Sequence, residues 1–78
     1  MTEKEIFEKL EEIFEDVFDD KIPLNAETTA EDVDDWDSLS HITLVSAVED
    51  AFGIKFRMKE VSSMKNVGEM VAIIKERA

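Results

Sequence analysis

The stretch WDSLSHITLV, residues 36–45, marks the point where an acidic loop gives way to an apolar helical pattern. Asp37 is a residue type favoured at helix N-caps, and Ser38 follows it in the first turn. Backbone N–H groups in that turn lack partners and the helix dipole is positive there, which favours a bound phosphate. Ser38 is therefore a candidate attachment point for a phosphate-linked group, although so short a motif needs structural context.

Further helices are predicted on both sides of this stretch, because apolar residues recur at intervals of three and four. Thr2 and Glu5 have capping-box spacing and begin a first helix of about four turns. Gly53 is expected to end the second helix in the left-handed conformation. Asn66 and Glu69 repeat the capping-box spacing before a last helix. The apolar stripe of the second helix is predicted to comprise Leu39, Ile42, Leu44, Val45, Val48 and Phe52.

Two irregular segments separate the long helices. Residues 19–37 lack periodicity and carry a run of acids, which predicts a long loop with one short helical turn. After Gly53, an extended connector is expected to place Ile54 and Phe56 in the core. Residues 58–63 are predicted to form a short helix or turn. The side chains expected to face inward from this part of the chain are Met58, Val61 and Met64.

The predicted fold class is all-α. It is a small four-helix bundle of three long helices and one short helix, with a long loop between helices 1 and 2. Residues 1–78 are expected to form one domain, because a chain of 78 residues has room for a single small core.

The net charge of the chain indicates which classes of partner it can bind. The chain has 9 basic and 20 acidic residues, a formal net charge of −11. Such a field repels nucleic acid and anionic membrane surfaces and attracts proteins with basic patches. No signal peptide or membrane span is evident, so we expect a cytoplasmic monomer without stable membrane association. There is no cysteine, hence no disulfide and no thiol nucleophile.

Catalysis by the chain itself is not expected. A hydrolase interpretation of Ser38 fails, because there is one histidine and no Gly-x-Ser-x-Gly turn. The acids at positions 32, 34, 35 and 37 lack the ligand spacing and the glycine of a calcium loop. We therefore predict neither an enzyme nor a metal site.

The region around Ser38 resembles the attachment site of the acyl carrier protein family. The resemblance extends over nearly the full length, through the helix order, the long acidic loop and the closing segment of residues 66–69. It is carried by Trp36-Asp37-Ser38-Leu39, Ile42, Leu44-Val45, Val48-Glu49 and Phe52-Gly53-Ile54.

This resemblance implies a cofactor. In the family, a phosphopantetheinyl transferase moves 4′-phosphopantetheine from coenzyme A to a serine, which would be Ser38 here. The terminal thiol of the arm then carries an acyl group as a thioester, which agrees with the absence of cysteine. Asp37 would cap the second helix and take part in transferase recognition. Leu39 would be a core anchor or a partner contact beside the arm.

The resemblance also implies partners, namely the transferase and acyl-loading and acyl-processing enzymes with basic docking patches. Glu49 and Asp50 would face them, or would form an ordinary solvated helix surface. His41 would contact the phosphate or a partner, or lie exposed on the helix. Trp36 is expected to pack the loop against the helix start, or to contact a partner if it is exposed. The predicted partner-contact residues are Trp36, Ser40, His41, Thr43, Glu49 and Asp50.

Some positions depart from carriers of bacterial fatty acid synthesis. Ser40 and Thr43 stand where acids are usual, and the short helix is basic around Glu60 instead of acidic. These differences favour a carrier for a specialised fatty acid, polyketide or lipid pathway. A D-alanyl or peptidyl carrier is an alternative. An unmodified acidic helical protein-interaction module is the alternative from another class.

Overall fold

Four α-helices and one turn of 3-10 helix are present in the computed structural model, which describes residues 2–78. No strand occurs in that range, so the predicted all-α class with three long helices and one short helix is confirmed. The helices are α1 (Glu3–Phe18), α2 (Ser38–Phe52), α3 (Met58–Ser63) and α4 (Val67–Arg77), with the 3-10 turn at Ala30–Asp32 in the long loop.

Local signals at the helix ends behave largely as predicted. Thr2 and Glu5 form a reciprocal capping box, with the Thr2 Oγ1 accepting the Glu5 N–H at 3.2 Å. Gly53 ends α2 with φ 66°, a conformation that costs little without a Cβ. Asn66 caps α4 as predicted, but the reciprocal contact from Glu69 to the Asn66 N–H does not form. The Glu69 carboxylate accepts the N–H of Lys65 instead of that of the cap.

The core lies where α1 packs against α2 and α4. Side chains from these three helices exclude water almost completely, which is the main stabilising contribution in a chain this short. By contrast, α3 contributes no buried side chain. The largest fully buried side chains are Phe14, Ile6, Leu10, Leu44, Met70, Ile74, Val48 and Val67.

The structure corrects the predicted apolar stripe of α2. Leu39 is 80% exposed and Ile42 is 64% exposed, whereas Leu44 is fully buried. Leu39 and Leu44 are five residues apart and therefore about 140° apart around a helix of 3.6 residues per turn, so both cannot face one core. Met58, also predicted to face inward, is 85% exposed. The connector prediction is confirmed, because Ile54 is buried and Phe56 packs against the core.

The long loop is fastened to the start of α4. The N–H of Val67 donates to the Thr28 carbonyl at 2.8 Å, and the N–H of Gly68 donates to the Ala26 carbonyl at 2.9 Å. These are two of the donors that a helix start leaves without intrahelical partners. The loop therefore supplies acceptors for the free N–H groups at the start of α4, and the same hydrogen bonds fix the path of the loop toward α2.

We predict that Gly68→Ala destabilises the fold. A Cβ at this position would lie 2.8 Å from the Ala26 carbonyl oxygen, so the loop must shift and its hydrogen bond weakens. We expect a loss of about 1–3 kcal/mol in the free energy of unfolding, measured in urea. Alanine is ordinarily the better helix former by about 1 kcal/mol, so unchanged or increased stability would contradict the close contact. Ala72→Gly, at an exposed position of α4, is the control for propensity alone.

Candidate functional site

Ser38 is exposed at the first position of α2, immediately after a tightly bonded cap. The Asp37 carboxylate accepts the N–H groups of Leu39 at 3.0 Å and Ser40 at 2.9 Å. The Ser40 hydroxyl accepts the Asp37 N–H at 2.8 Å and donates to the Asp35 carbonyl at 2.7 Å. Ser38 is thus presented to solvent on backbone that its neighbours hold from both sides.

The cap is charged at neutral pH. The backbone N–H of Ser40 holds the pKa of the Asp37 carboxyl below its usual range, with smaller contributions from the Ser40 hydroxyl and the Leu39 N–H. The predicted N-cap role of Asp37 is therefore present. The prediction that Ser40 contacts a partner is not supported, because its hydroxyl is engaged inside the capping box.

Trp36 and His41 form a connected pair beside Ser38. The indole Nε1–H of Trp36 donates to His41 Nδ1 at 3.0 Å, and the two rings stack with centroids 5.9 Å apart. Trp36 also meets Phe14 edge to face at 5.3 Å. Of the two roles predicted for Trp36, packing of the loop against the helix start is confirmed and the partner contact is not, because only 9% of the residue is exposed. Its indole joins the loop to the core.

The structure also corrects the position of His41. It was predicted to be exposed or to face a partner, but it is half-buried, and its Nε2 lies 3.0 Å from the Val61 carbonyl oxygen of α3. The two ring nitrogens therefore link α2 to the loop and to α3. No sequence pattern indicates this link, because it joins residues 20 positions apart.

Glu49 is similarly engaged within the fold. Its carboxylate accepts the Phe56 N–H at 2.7 Å and the residue is half-buried, so Glu49 is not the fully solvated acid that was one of its two predicted roles; its docking role stays a prediction. Asp50 and Thr43 are exposed on the outer side of α2. Of the two predicted acidic contacts, Asp50 alone presents an exposed carboxylate.

A groove of about 500 Å³ runs from Ser38 toward α3. The groove lies beside an exposed hydroxyl at a helix start, which fits a phosphate-linked arm because the positive end of the helix dipole favours an anion. The apolar side chains of the groove would cover the extended part of the arm. Sequence reasoning did not identify the α3 side of this groove, and its residues have no motif that would have revealed it. The lining side chains include Trp36, Ser38, His41, Val61, Met64 and Lys65.

The far side of α3 is held by an ion pair with α4. Arg77 donates from both terminal nitrogens to the Glu60 carboxylate, at 2.6 and 2.5 Å, and also to the Lys55 carbonyl at 3.0 Å. Hydrogen bonding from Arg77, and then from the Arg57 N–H, lowers the pKa of Glu60 to about 2. This pair helps to position the helix that walls the groove.

Within residues 2–78, no group of acidic and histidine side chains is placed to hold a metal ion. Over the same range, no helix has the length and apolar character needed to cross a membrane.

Comparisons with known proteins agree with this geometry. Residues 8–74 match the family model described as a phosphopantetheine attachment site. The chain is 36% identical to the acyl carrier protein of Streptococcus pneumoniae strain TIGR4 over 74 residues, 94% of this chain and 96% of the relative. It is 36% identical to that of Petrotoga mobilis over 80 residues, 99% of this chain and 92% of the relative.

A solved structure supports the same conclusion. The solution structure of holo acyl carrier protein from Geobacter metallireducens superimposes with a TM-score of 0.84 at 42% identity, covering 91% of this chain and 83% of that one. The fold and site define a small helical carrier that bears a covalently attached 4′-phosphopantetheine. The chain belongs to the acyl carrier protein family, whose members are carriers and not catalysts.

We predict that Glu60 titrates far below an ordinary glutamate. Because its pKa is lowered in the folded state, the pair stabilises the fold above about pH 4.5, and this contribution is lost as pH falls toward 2. An NMR titration of the Glu60 side-chain carboxyl should give a midpoint near 2. Arg77→Gln should move that midpoint toward 4.5, whereas Lys75→Gln should not. A wild-type midpoint near 4.5 would show that the pair does not form.

Proposed function

We propose that Ser38 carries the 4′-phosphopantetheine arm and that the loaded protein delivers acyl thioesters in a specialised fatty acid, polyketide or lipid pathway. The observation that supports the residue assignment is the exposed Ser38 hydroxyl at the first position of α2, beside a groove. We further propose that residues 2–78 act as one domain in the cytoplasm, modified by a phosphopantetheinyl transferase.

The modification is a phosphoryl-type group transfer from coenzyme A. The Ser38 Oγ forms a bond to the phosphorus of the pantetheine phosphate, and the P–O bond to the adenosine-phosphate half of coenzyme A breaks. The hydroxyl proton is lost to the transferase or solvent. When bound, the arm supplies the thiol that holds an acyl group as a thioester, a function the cysteine-free chain cannot provide.

The chain's own residues contribute exposure and a suitable electrostatic environment. The positive end of the α2 dipole favours an anion on Ser38, while the Leu39 and Ser40 N–H groups of the first turn are already bonded to Asp37. Val61 and Met64 give the adjacent groove an apolar wall, and Lys65 adds a positive charge at its edge. Asp37 keeps the first turn of α2 formed before any partner arrives.

The partner surface we propose is the outer side of α2 with the start of α3. Leu39, Ile42 and Met58 are the large apolar side chains left exposed there, and apolar exposure beside a modification site marks a contact surface. Charge changes along this surface. Residues 55–65 contain four basic residues and one acid, whereas Asp50 keeps α2 acidic. A fitting partner therefore carries basic groups opposite α2 around an apolar patch.

Two alternatives to an acyl carrier involve the same region of α2. A D-alanyl or peptidyl carrier would attach the same arm and differ only in cargo. Asp37 before the serine favours an acyl carrier. An unmodified interaction module is disfavoured, because the chain belongs to a family of phosphopantetheine carriers. Loading assays with malonyl and aminoacyl donors distinguish between the cargo classes.

The modification of Ser38 can be tested by mass. Incubation with coenzyme A, magnesium and a broad-specificity phosphopantetheinyl transferase should add the mass of one phosphopantetheine group to the intact protein. Ser38→Ala should abolish the gain, whereas Ser46→Ala, an exposed serine of the same helix, should retain it. A gain that persists in Ser38→Ala would place the arm elsewhere.

Docking through Asp50 can be tested by charge reversal. Asp50→Lys should slow modification by the transferase roughly threefold at low salt, because one attractive pair becomes repulsive, and the deficit should shrink as salt is added. Asp16→Lys on α1 makes the same charge change away from Ser38 and serves as the control. Equal rates for the two variants at low salt would show that Asp50 is only solvated.

A further inference from the structure

His41 is a titratable group whose two nitrogens hold different parts of the fold together. Its Nδ1 accepts the Trp36 indole N–H at 3.0 Å, and its Nε2 lies 3.0 Å from the Val61 carbonyl oxygen. The chain has one histidine and one tryptophan, so this link is unique in the molecule.

The two partners determine the protonation state of the ring. An indole N–H can only donate, so Nδ1 must be without a proton, while a carbonyl oxygen can only accept, so Nε2 must carry one. The neutral ring protonated at Nε2 satisfies both partners. A second proton on Nδ1 would place N–H against N–H and break the bond to Trp36.

The charged groups near this ring in the fold are few. Asp37, the N-cap of α2, and Lys65, which follows α3, line the same groove as the ring, and Asp35 lies in the loop before α2. Glu60, next to Val61, is already paired with Arg77. From α1, the side chains packed on the indole are the uncharged Phe14 and Phe18. No carboxylate is recorded within hydrogen-bond distance of His41 in residues 2–78, so no local anion would replace the lost indole contact.

The link is coupled to Ser38 by position. Ser38 and His41 are three residues apart, which places them on one face of α2, and both line the groove. Trp36 is two residues before Ser38 and is packed into the core. Release of the indole therefore loosens the loop backbone before Ser38, while the Nε2 contact with the Val61 carbonyl of α3 is kept.

We propose that His41 is a positioning residue for the modification of Ser38, and that protonation of its ring weakens the presentation of this serine to the transferase. This inference rests on the proposed role of Ser38. It makes the carrier a better substrate when the His41 ring is neutral than when it is protonated, by a cause that lies in the carrier itself.

The link can be observed without any modification. In ¹⁵N-labelled protein, the single indole signal should move from a hydrogen-bonded to a free position when acidification protonates the His41 ring, whose own NMR signals are followed in the same samples. His41→Asn places an amide oxygen near the position of Nδ1 and should keep the bonded shift at every pH. His41→Phe lacks an acceptor and should show the free shift throughout.

The effect on Ser38 is measured by competition. Wild type and His41→Asn are mixed in one tube with coenzyme A and the transferase, so that the enzyme's own pH dependence cancels in the ratio of their kcat/KM values. The wild-type to Asn ratio should be about fivefold lower with the His41 ring protonated than with it neutral, the worth of one hydrogen bond of about 1 kcal/mol. The Phe to Asn ratio should be low and independent of pH.

Two results would overturn the positioning role. One is an indole signal that stays fixed while His41 titrates, and the other is a wild-type to Asn ratio that stays constant while the indole signal moves. Absence of any mass gain in all three proteins would instead refute the proposed modification, and the positioning role with it. The indole titration would then still report whether the link exists.

Discussion

Helix α2 begins where the Asp37 carboxylate accepts two backbone N–H groups and the Ser40 hydroxyl returns a contact to the Asp37 backbone. Residues in a first turn otherwise fray, because their donors have no intrahelical partners. Because Trp36 is buried just before the cap, and Asp37 and Ser40 are bonded on either side of Ser38, this serine has a defined place and an exposed position. The groove, the link through His41 and the outer surface of α2 all take their positions from this start.

The same helix shows why exposed apolar residues here are not a folding defect. Leu44, Val45 and Val48 already occupy the side of α2 that faces the bundle, so Leu39 and Ile42 must lie outside it. A chain with a net charge of −11 has ample polar residues to cover this surface, yet leaves it apolar beside Ser38. The exposed apolar residues and the buried ones therefore lie on different faces of the same helix.

Sequence patterns predicted the features that depend on residues close together in the chain. The caps at Thr2 and Asp37, the turn at Gly53 and the bounds of α3 follow from short-range rules, and the structure confirms them. Some misassigned side chains form hydrogen bonds that no sequence pattern shows. Glu49 looked like a free surface acid, but the connector brings the Phe56 N–H to it. His41 looked exposed, because no pattern reveals its contacts with Trp36 and with the Val61 carbonyl.

The attachment of α3 has a thermodynamic consequence. This helix has no fully buried side chain, and its polar ties are the Glu60–Arg77 pair and the Val61 carbonyl contact with His41. Its amides should therefore exchange with solvent through a partial opening that leaves α1, α2 and α4 assembled. We therefore expect α3, which lies beside Ser38, to be less stable than the rest of the bundle. Opening the interior on that side should cost less free energy than unfolding the whole protein.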